Sequence, residues 1–293
     1  MSAESTNTSG LSAKLDKKRK RHAEDSLKIA EAGAASSGNA DAPSNKKQKN
    51  GKSKKGGKGG KDKGNKPQQD APPKDTKQTE TKGGIDEAIG KMDGRLLADH
   101  FMQKAKRHNK QLTAVELSDL SVPESAFLDT SSFNSPRQLE QLPAFLKAFS
   151  PKGSDLSKAS GAKGTPHTLV VSPSGLRAAD AVRALRTFAT KESPIGKLFA
   201  KHIKLEEAKQ FLDRSRIAIG GGTPARISDL IDSGSLKLGE LQRIVLDGSY
   251  VDQKQRGIFD MKETHLPLLQ LLTRSEFRER YGAEEKRIQI LVF

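Results

Sequence analysis

Apolar positions form no pattern across the first 84 residues and then become periodic. After Gly83-Gly84, Leu96, Leu97, Phe101 and Met102 recur three and four apart, which predicts a helix running to about Arg107. Ala126-Phe127-Leu128 reads as a short strand, and Leu139, Leu142, Phe145, Leu146 and Phe149 read as one helical stripe. Thr168-Leu169-Val170-Val171 is a buried strand stopped by Ser172-Pro173-Ser174-Gly175, and Ala178, Ala181, Val182, Leu185 and Phe188 mark the helix after it. Further strands are predicted around Lys201 to Leu205, at Arg216 to Ile219, at Arg243 to Asp247 and at Ile288 to Phe293. Helices fall between them at Glu206 to Leu212, around Ile227, Leu230 and Ile231, and at Leu266 to Leu272; Gly220-Gly221-Gly222-Thr223-Pro224 is read as a break. Short apolar strands alternating with helices predict an α/β domain whose parallel sheet is covered on both faces. Ligands in such sheets bind at the carboxyl ends of the strands, where the Gly, Pro and Ser turns fall.

Composition separates this domain from what precedes it. Residues 1–84 contain no Phe, Tyr or Trp and carry 20 Lys and Arg against 10 Asp and Glu, so they cannot bury a core and are expected to form a disordered, Lys/Gly-rich tail. That leaves +6 of the chain's +16 formal charge to residues 85–293, which hold all 11 Phe and both Tyr. A basic tail favours a polyanionic partner, and nucleic acid is the commonest one. Lys17-Lys18-Arg19-Lys20-Arg21 has the form read by nuclear import receptors. The chain has no cysteine, and its six histidines show no ligand spacing, so neither a metal nor a cofactor is expected. No apolar run approaches the roughly 18 residues of a membrane span.

Nucleotide motifs fail on their spacing. A Gly220-Gly221-Gly222 dinucleotide loop would need a glycine where Ala225 stands, and no acidic residue follows at the required distance. GxxxxGK[ST] is absent; Gly51-Lys52-Ser53 has its last three letters but lies in the tail with Lys46 in place of the first glycine. Val245-Leu246-Asp247-Gly248-Ser249 sits on a late strand, where a methyltransferase site would need it on the first.

From Ala126 to Phe293 the order of turns resembles the first RecA-like lobe of DEAD-box RNA helicases. Thr168 to Ala178 is similar to their LVxxPTRELA, Ile217 to Ile231 to ILVxTPGRLxDLL, and Ile244-Val245-Leu246-Asp247 occupies the slot of VLDEAD. The resemblance implies RNA-backbone contacts at Pro173, Ser174, Gly222, Thr223 and Arg226. Arg177 is a candidate substitute for the family's motif arginine, whose place Gly175 takes. Glycine allows close approach, hydroxyls donate to phosphate oxygens and arginine binds them bidentately. The alternative role for Thr223 and Pro224 is to cap the following helix. The nucleotide machinery is degenerate. Gly248, Ser249 and Tyr250 replace the Glu, Ala and Asp of VLDEAD, leaving Asp247 alone to approach a metal, and the P-loop slot reads Asp129-Thr130-Ser131-Ser132-Phe133. Losing a lysine beside a phosphate forfeits on the order of 4 kcal/mol, about a thousandfold in triphosphate affinity. No second lobe is expected.

Three strings carry a closer resemblance, to the Cms family of nucleolar small-subunit processome proteins. They are Pro173 to Asp180, Phe199 to Glu207 and Asp252 to Thr264. This resemblance implies a non-enzymatic ribosome-biogenesis factor, nuclear and nucleolar, associating with pre-rRNA and with small-subunit pre-ribosome proteins. Two alternatives stand beside it. One is a residual ATPase, or one completed by a partner; the other is a protein-interaction scaffold whose tail alone binds RNA.

Overall fold

The computed structural model describes residues 83–293. The Lys17 to Arg21 cluster and the tail expected at residues 1–84, apart from Gly83 and Gly84, lie outside them.

Five strands form one parallel sheet: β2 (Thr168–Val171), β3 (Gly196–Leu198), β4 (Ile219–Gly222), β5 (Arg243–Leu246) and β7 (Gln289–Val292). Their spatial order is β3-β4-β2-β5-β7. Both faces are buried, and side-chain alternation divides the core. Leu169, Val171, Ile244, Leu246, Ile290 and Val292 point to one cluster, Val170, Val245 and Leu291 to the other. The first face is covered by α1 (Gly94–His108), α5 (Leu205–Arg214), α6 (Pro224–Asp232) and α7 (Lys262–Leu272). The second is covered by α3 (Leu142–Ala148) and α4 (Gly175–Ala184). The α/β class read from the pattern is the class observed. Helix α2 (Ala114–Asp119) opens with a capping box in which Thr113 and Glu116 satisfy each other's backbone N–H groups.

Three segments differ from the expectation. The strand expected at Lys201 to Leu205 lies earlier, at Gly196–Leu198; Lys201 and His202 form a turn, with His202 at φ 59°. The run at Arg216 to Ile219 only enters its strand, and the three glycines that were read as a break are the body of β4. They are glycines because no side chain fits: a Cβ on Gly221 would stand 2.7 Å from Val182 Cγ2, and one on Gly222 would overlap the Leu198 carbonyl of β3. Ala126 to Leu128 forms a single parallel bridge, Phe127 to Ile290, rather than a strand.

A two-stranded antiparallel ribbon of β1 (Gly84–Ile85) and β6 (Tyr250–Val251) was not foreseen. Gly83 lies so close to the Tyr250 ring that a Cβ would overlap it.

Candidate nucleic-acid interface

Sheet register brings the candidate turns together. Val171 pairs with Gly222 on one side and Leu246 on the other, so Pro173-Ser174, Thr223 and Asp247 all leave the carboxyl edge within three adjacent strands. The edge divides into a filled half and an open half.

The filled half holds the residues that the sequence aligned with the P-loop and VLDEAD positions. Thr130 is buried and its hydroxyl donates to the Val292 carbonyl at 3.0 Å. Asp129 is exposed and accepts the Ser131 N–H, a bond that holds its carboxyl below the usual carboxylate range. Arg137, which no sequence motif pointed to, is 2% exposed and closes the slot. Its guanidinium donates to the carbonyls of Gly90 at 2.6 Å, Thr130 at 2.7 Å and Val292, and lies 5.3 Å from the Phe145 ring centroid. No ion pair among the described residues includes it, and burial pushes its pKa down. The one available signal was that Arg137 is the sole basic residue between Lys110 and Lys147.

Asp247 is also engaged. Arg177 holds it with two hydrogen bonds, Nε at 2.7 Å and Nη2 at 3.0 Å, with side-chain exposures of 12% and 2%. The same guanidinium sits 4.2 Å over the Tyr250 ring. The carboxylate offered to a metal and the arginine offered to RNA therefore satisfy each other. Gly248 leaves room for β7: a Cβ there would stand 2.7 Å from Val292 Cγ1, and its N–H donates to the Phe293 carbonyl at 2.9 Å. Among the described residues no group of three or more His, Cys, Asp or Glu side chains could hold a metal ion.

The open half follows β2 and β4. Pro173 is buried and its carbonyl accepts the Thr264 hydroxyl at 2.9 Å. Ser174 caps α4, its Oγ accepting the Arg177 N–H at 3.2 Å, which leaves its O–H as a donor. Thr223 occupies the cap position of α6, but its hydroxyl caps nothing; its N–H donates to Leu198 at 3.1 Å. The capping alternative thus falls to Pro224 at the first turn of that helix. Arg226 donates one guanidinium N–H to the Ile203 carbonyl at 3.1 Å and is half-buried. Gly222 is enclosed by β3 and contributes close packing. Lys201 and Lys204 are exposed on the turn that Arg226 tethers; both lie in the Phe199 to Glu207 string, but no RNA contact was expected of them.

A parallel α/β lobe in which arginines tie up Thr130 and Asp247 while the neighbouring turns keep hydroxyl donors unused among the described residues is the class of protein this site defines. The family model described as "CMS1: U3-containing 90S pre-ribosomal complex subunit" matches residues 35–293, and the chain belongs to that family. Protein CMS1 of Chaetomium thermophilum is 49% identical over 214 residues, covering 73% of this chain and 85% of that protein. Protein CMSS1 of Homo sapiens is 30% identical over 195 residues, 67% of this chain and 64% of that protein. Among solved structures, a DEAD box protein from Methanococcus jannaschii matches 55% of this chain and 37% of its own, at 14% identity and a TM-score of 0.33.

Proposed function

We propose that this chain is a non-enzymatic ribosome-biogenesis factor that associates with early small-subunit pre-ribosomes and binds pre-rRNA through the turns after β2 and β4. Ser174, Thr223 and Arg226, flanked by Lys201 and Lys204, contact the RNA backbone. The tail adds electrostatic affinity, and Lys17 to Arg21 engage an import receptor that carries the protein to the nucleus and nucleolus. Family membership supports the pre-ribosomal setting.

One observation supports the non-enzymatic reading: Arg137 donates to the Thr130 carbonyl in the segment aligned with the P-loop, and Arg177 pairs with Asp247, the one carboxylate left at the VLDEAD position, while donors next door stay unused. Opening the slot for a triphosphate means breaking a buried ion pair, which costs about 3–5 kcal/mol when one partner is left uncompensated. Phosphate-backbone contacts need only hydroxyls, backbone N–H groups and cations at an exposed edge.

The test is RNA crosslinking in cells, comparing the intact chain with one carrying Ser174→Ala, Thr223→Ala and Arg226→Glu together. Crosslinks to pre-rRNA are expected to vanish in the variant. Unchanged crosslinks would reduce the lobe to a protein-docking platform. Magnesium-dependent ATP turnover by the pure protein, lost on Asp247→Ala, would overturn the non-enzymatic reading.

A further inference from the structure

The opposite end of the sheet carries a second, separate basic site. Helix α3 runs back from the nucleotide slot, and the loop after it passes the amino ends of β2 and β5. There a cleft of about 490 Å³ opens, lined by Lys147, Ser150, Lys152, Ser154, Asp155 and Ser157 among others. Lys147 lies 5.7 Å from the Phe188 ring centroid, and neither it nor Lys152 forms an ion pair among the described residues. Nor do the Ser154 and Ser157 hydroxyls make a hydrogen bond there. Lys147 stands in the last turn of α3, where its charge offsets the negative carbonyl end of the helix.

A buried cation backs this wall. Arg243, the first residue of β5, is 5% exposed and reaches no carboxylate. One guanidinium N–H donates to the Ser150 hydroxyl, which lines the cleft and itself donates to the Leu146 carbonyl; the Nε–H has no partner among the described residues. Neighbouring His167 adds no second positive charge: burial and Arg243 push its pKa down to about 4, so it is neutral at physiological pH. The one acid present, Asp155, spends an oxygen on the Ser157 N–H. Lys147 and Lys152 therefore face a single carboxylate across a concave space rimmed by the unused Ser154 and Ser157 hydroxyls, with the buried Arg243 charge behind Ser150. This combination matches a phosphate group, whose oxygens accept from ammonium and hydroxyl donors alike.

We propose that the cleft bounded by Lys147, Lys152 and Ser154 and backed by Arg243 is a phosphate-binding site, and that it takes a backbone phosphate of bound RNA. The RNA assignment rests on the function proposed above. It gives the lobe two contacts with one strand, at opposite ends of the sheet, so the strand must wrap a face of the molecule rather than cross one edge.

The experiment has two arms, both on the full chain and on the Lys147→Glu, Lys152→Glu double variant; both lysines are exposed, and circular dichroism and the melting temperature verify the fold. In the first, binding of a fluorescent single-stranded oligouridine is measured across a salt series. Affinity is expected to fall about tenfold or more, and the logarithmic salt slope to flatten by about 0.7, from the one lost phosphate contact. In the second, inorganic phosphate is titrated against chloride of equal ionic strength while amide NMR shifts are followed. Shifts confined to residues 150–157 are expected in the native chain and not in the variant. Absence of those shifts in the native chain overturns the cleft itself. Unchanged RNA affinity and slope in the variant overturn RNA as the source of the phosphate. A native chain that binds no RNA refutes the function proposed above, while the phosphate titration still decides the cleft.

Discussion

Arg177 and Asp247, seventy residues apart in the chain, meet through two parallel hydrogen bonds at 2.7 and 3.0 Å beneath the face of Tyr250. The pair is nearly enclosed, so its members depend on each other more than surface ions do.

Removing one partner is expected to be far worse than removing both. Arg177→Ala leaves Asp247 buried and unpaired and should cost about 3–5 kcal/mol in urea unfolding. The Arg177→Met, Asp247→Leu double variant should recover at least half of that loss. A double-variant loss equal to the sum of the two single-variant losses would show that the two side chains act independently.

Arg137→Met retains the apolar stem but leaves the Gly90 carbonyl without its donor, and takes one of two donors from the Val292 and Thr130 carbonyls, which keep the Thr130 hydroxyl and the Phe133 N–H. One orphaned buried acceptor costs about 1–3 kcal/mol, so a loss of at least that size is expected in the same assay. Gly90→Ala should destabilise too, because its Cβ would overlap the Arg137 side chain.

Stability and RNA binding should separate across one peptide bond. Gly222→Ala drives a methyl into the Leu198 carbonyl and is expected to cost about 1–3 kcal/mol. Thr223→Ala removes a hydroxyl that caps nothing, and should change stability by less than about 0.5 kcal/mol while weakening RNA crosslinking. A large melting shift in the Thr223 variant would return its hydroxyl to a structural role.

Acid should destabilise the fold through His265. This imidazole is buried, packs 5.2 Å from His108, and has no partner on either ring nitrogen. Burial, reinforced by His108, lowers its pKa from 6.5 to about 4. Between those values the unfolded chain binds the proton and the folded one does not, so stability is full above about pH 6.5 and falls as the pH drops toward 4. From pH 7.5 to pH 5 the loss from this one residue is about 2 kcal/mol. His265→Phe should remove that part of the acid sensitivity, as read from urea midpoints at the two pH values.

Deleting residues 1–82 should flatten the salt dependence of RNA affinity, because the tail's lysines then release no counterions. An unchanged slope would assign those lysines to import or to protein contacts.

Much of the fold was legible from one-dimensional pattern. Val170 and its neighbours announce a strand by an unbroken apolar run buried on both faces, and Leu142, Phe145 and Leu146 announce a helix because burial repeats at its period. Gly220 to Gly222 misled for a physical reason. Glycine weakens an isolated strand, and only the approach of Leu198 and Val182 from other elements makes it necessary there. The missing P-loop and the lost VLDEAD acids were likewise readable, since they are absences at fixed offsets. What filled the vacancy was not.

The sequence by itself determined the α/β class, the parallel sheet and the loss of nucleotide motifs, because periodicity and local spacing are properties of neighbours along the chain. Only the tertiary structure decided that Arg137 closes the slot, that Arg177 belongs to Asp247 rather than to a ligand, and that Arg243 lies uncompensated behind Ser150. A buried charge takes whichever acceptor the fold brings within about 3 Å, and that acceptor is set by sheet register and helix packing, which no local window of residues encodes.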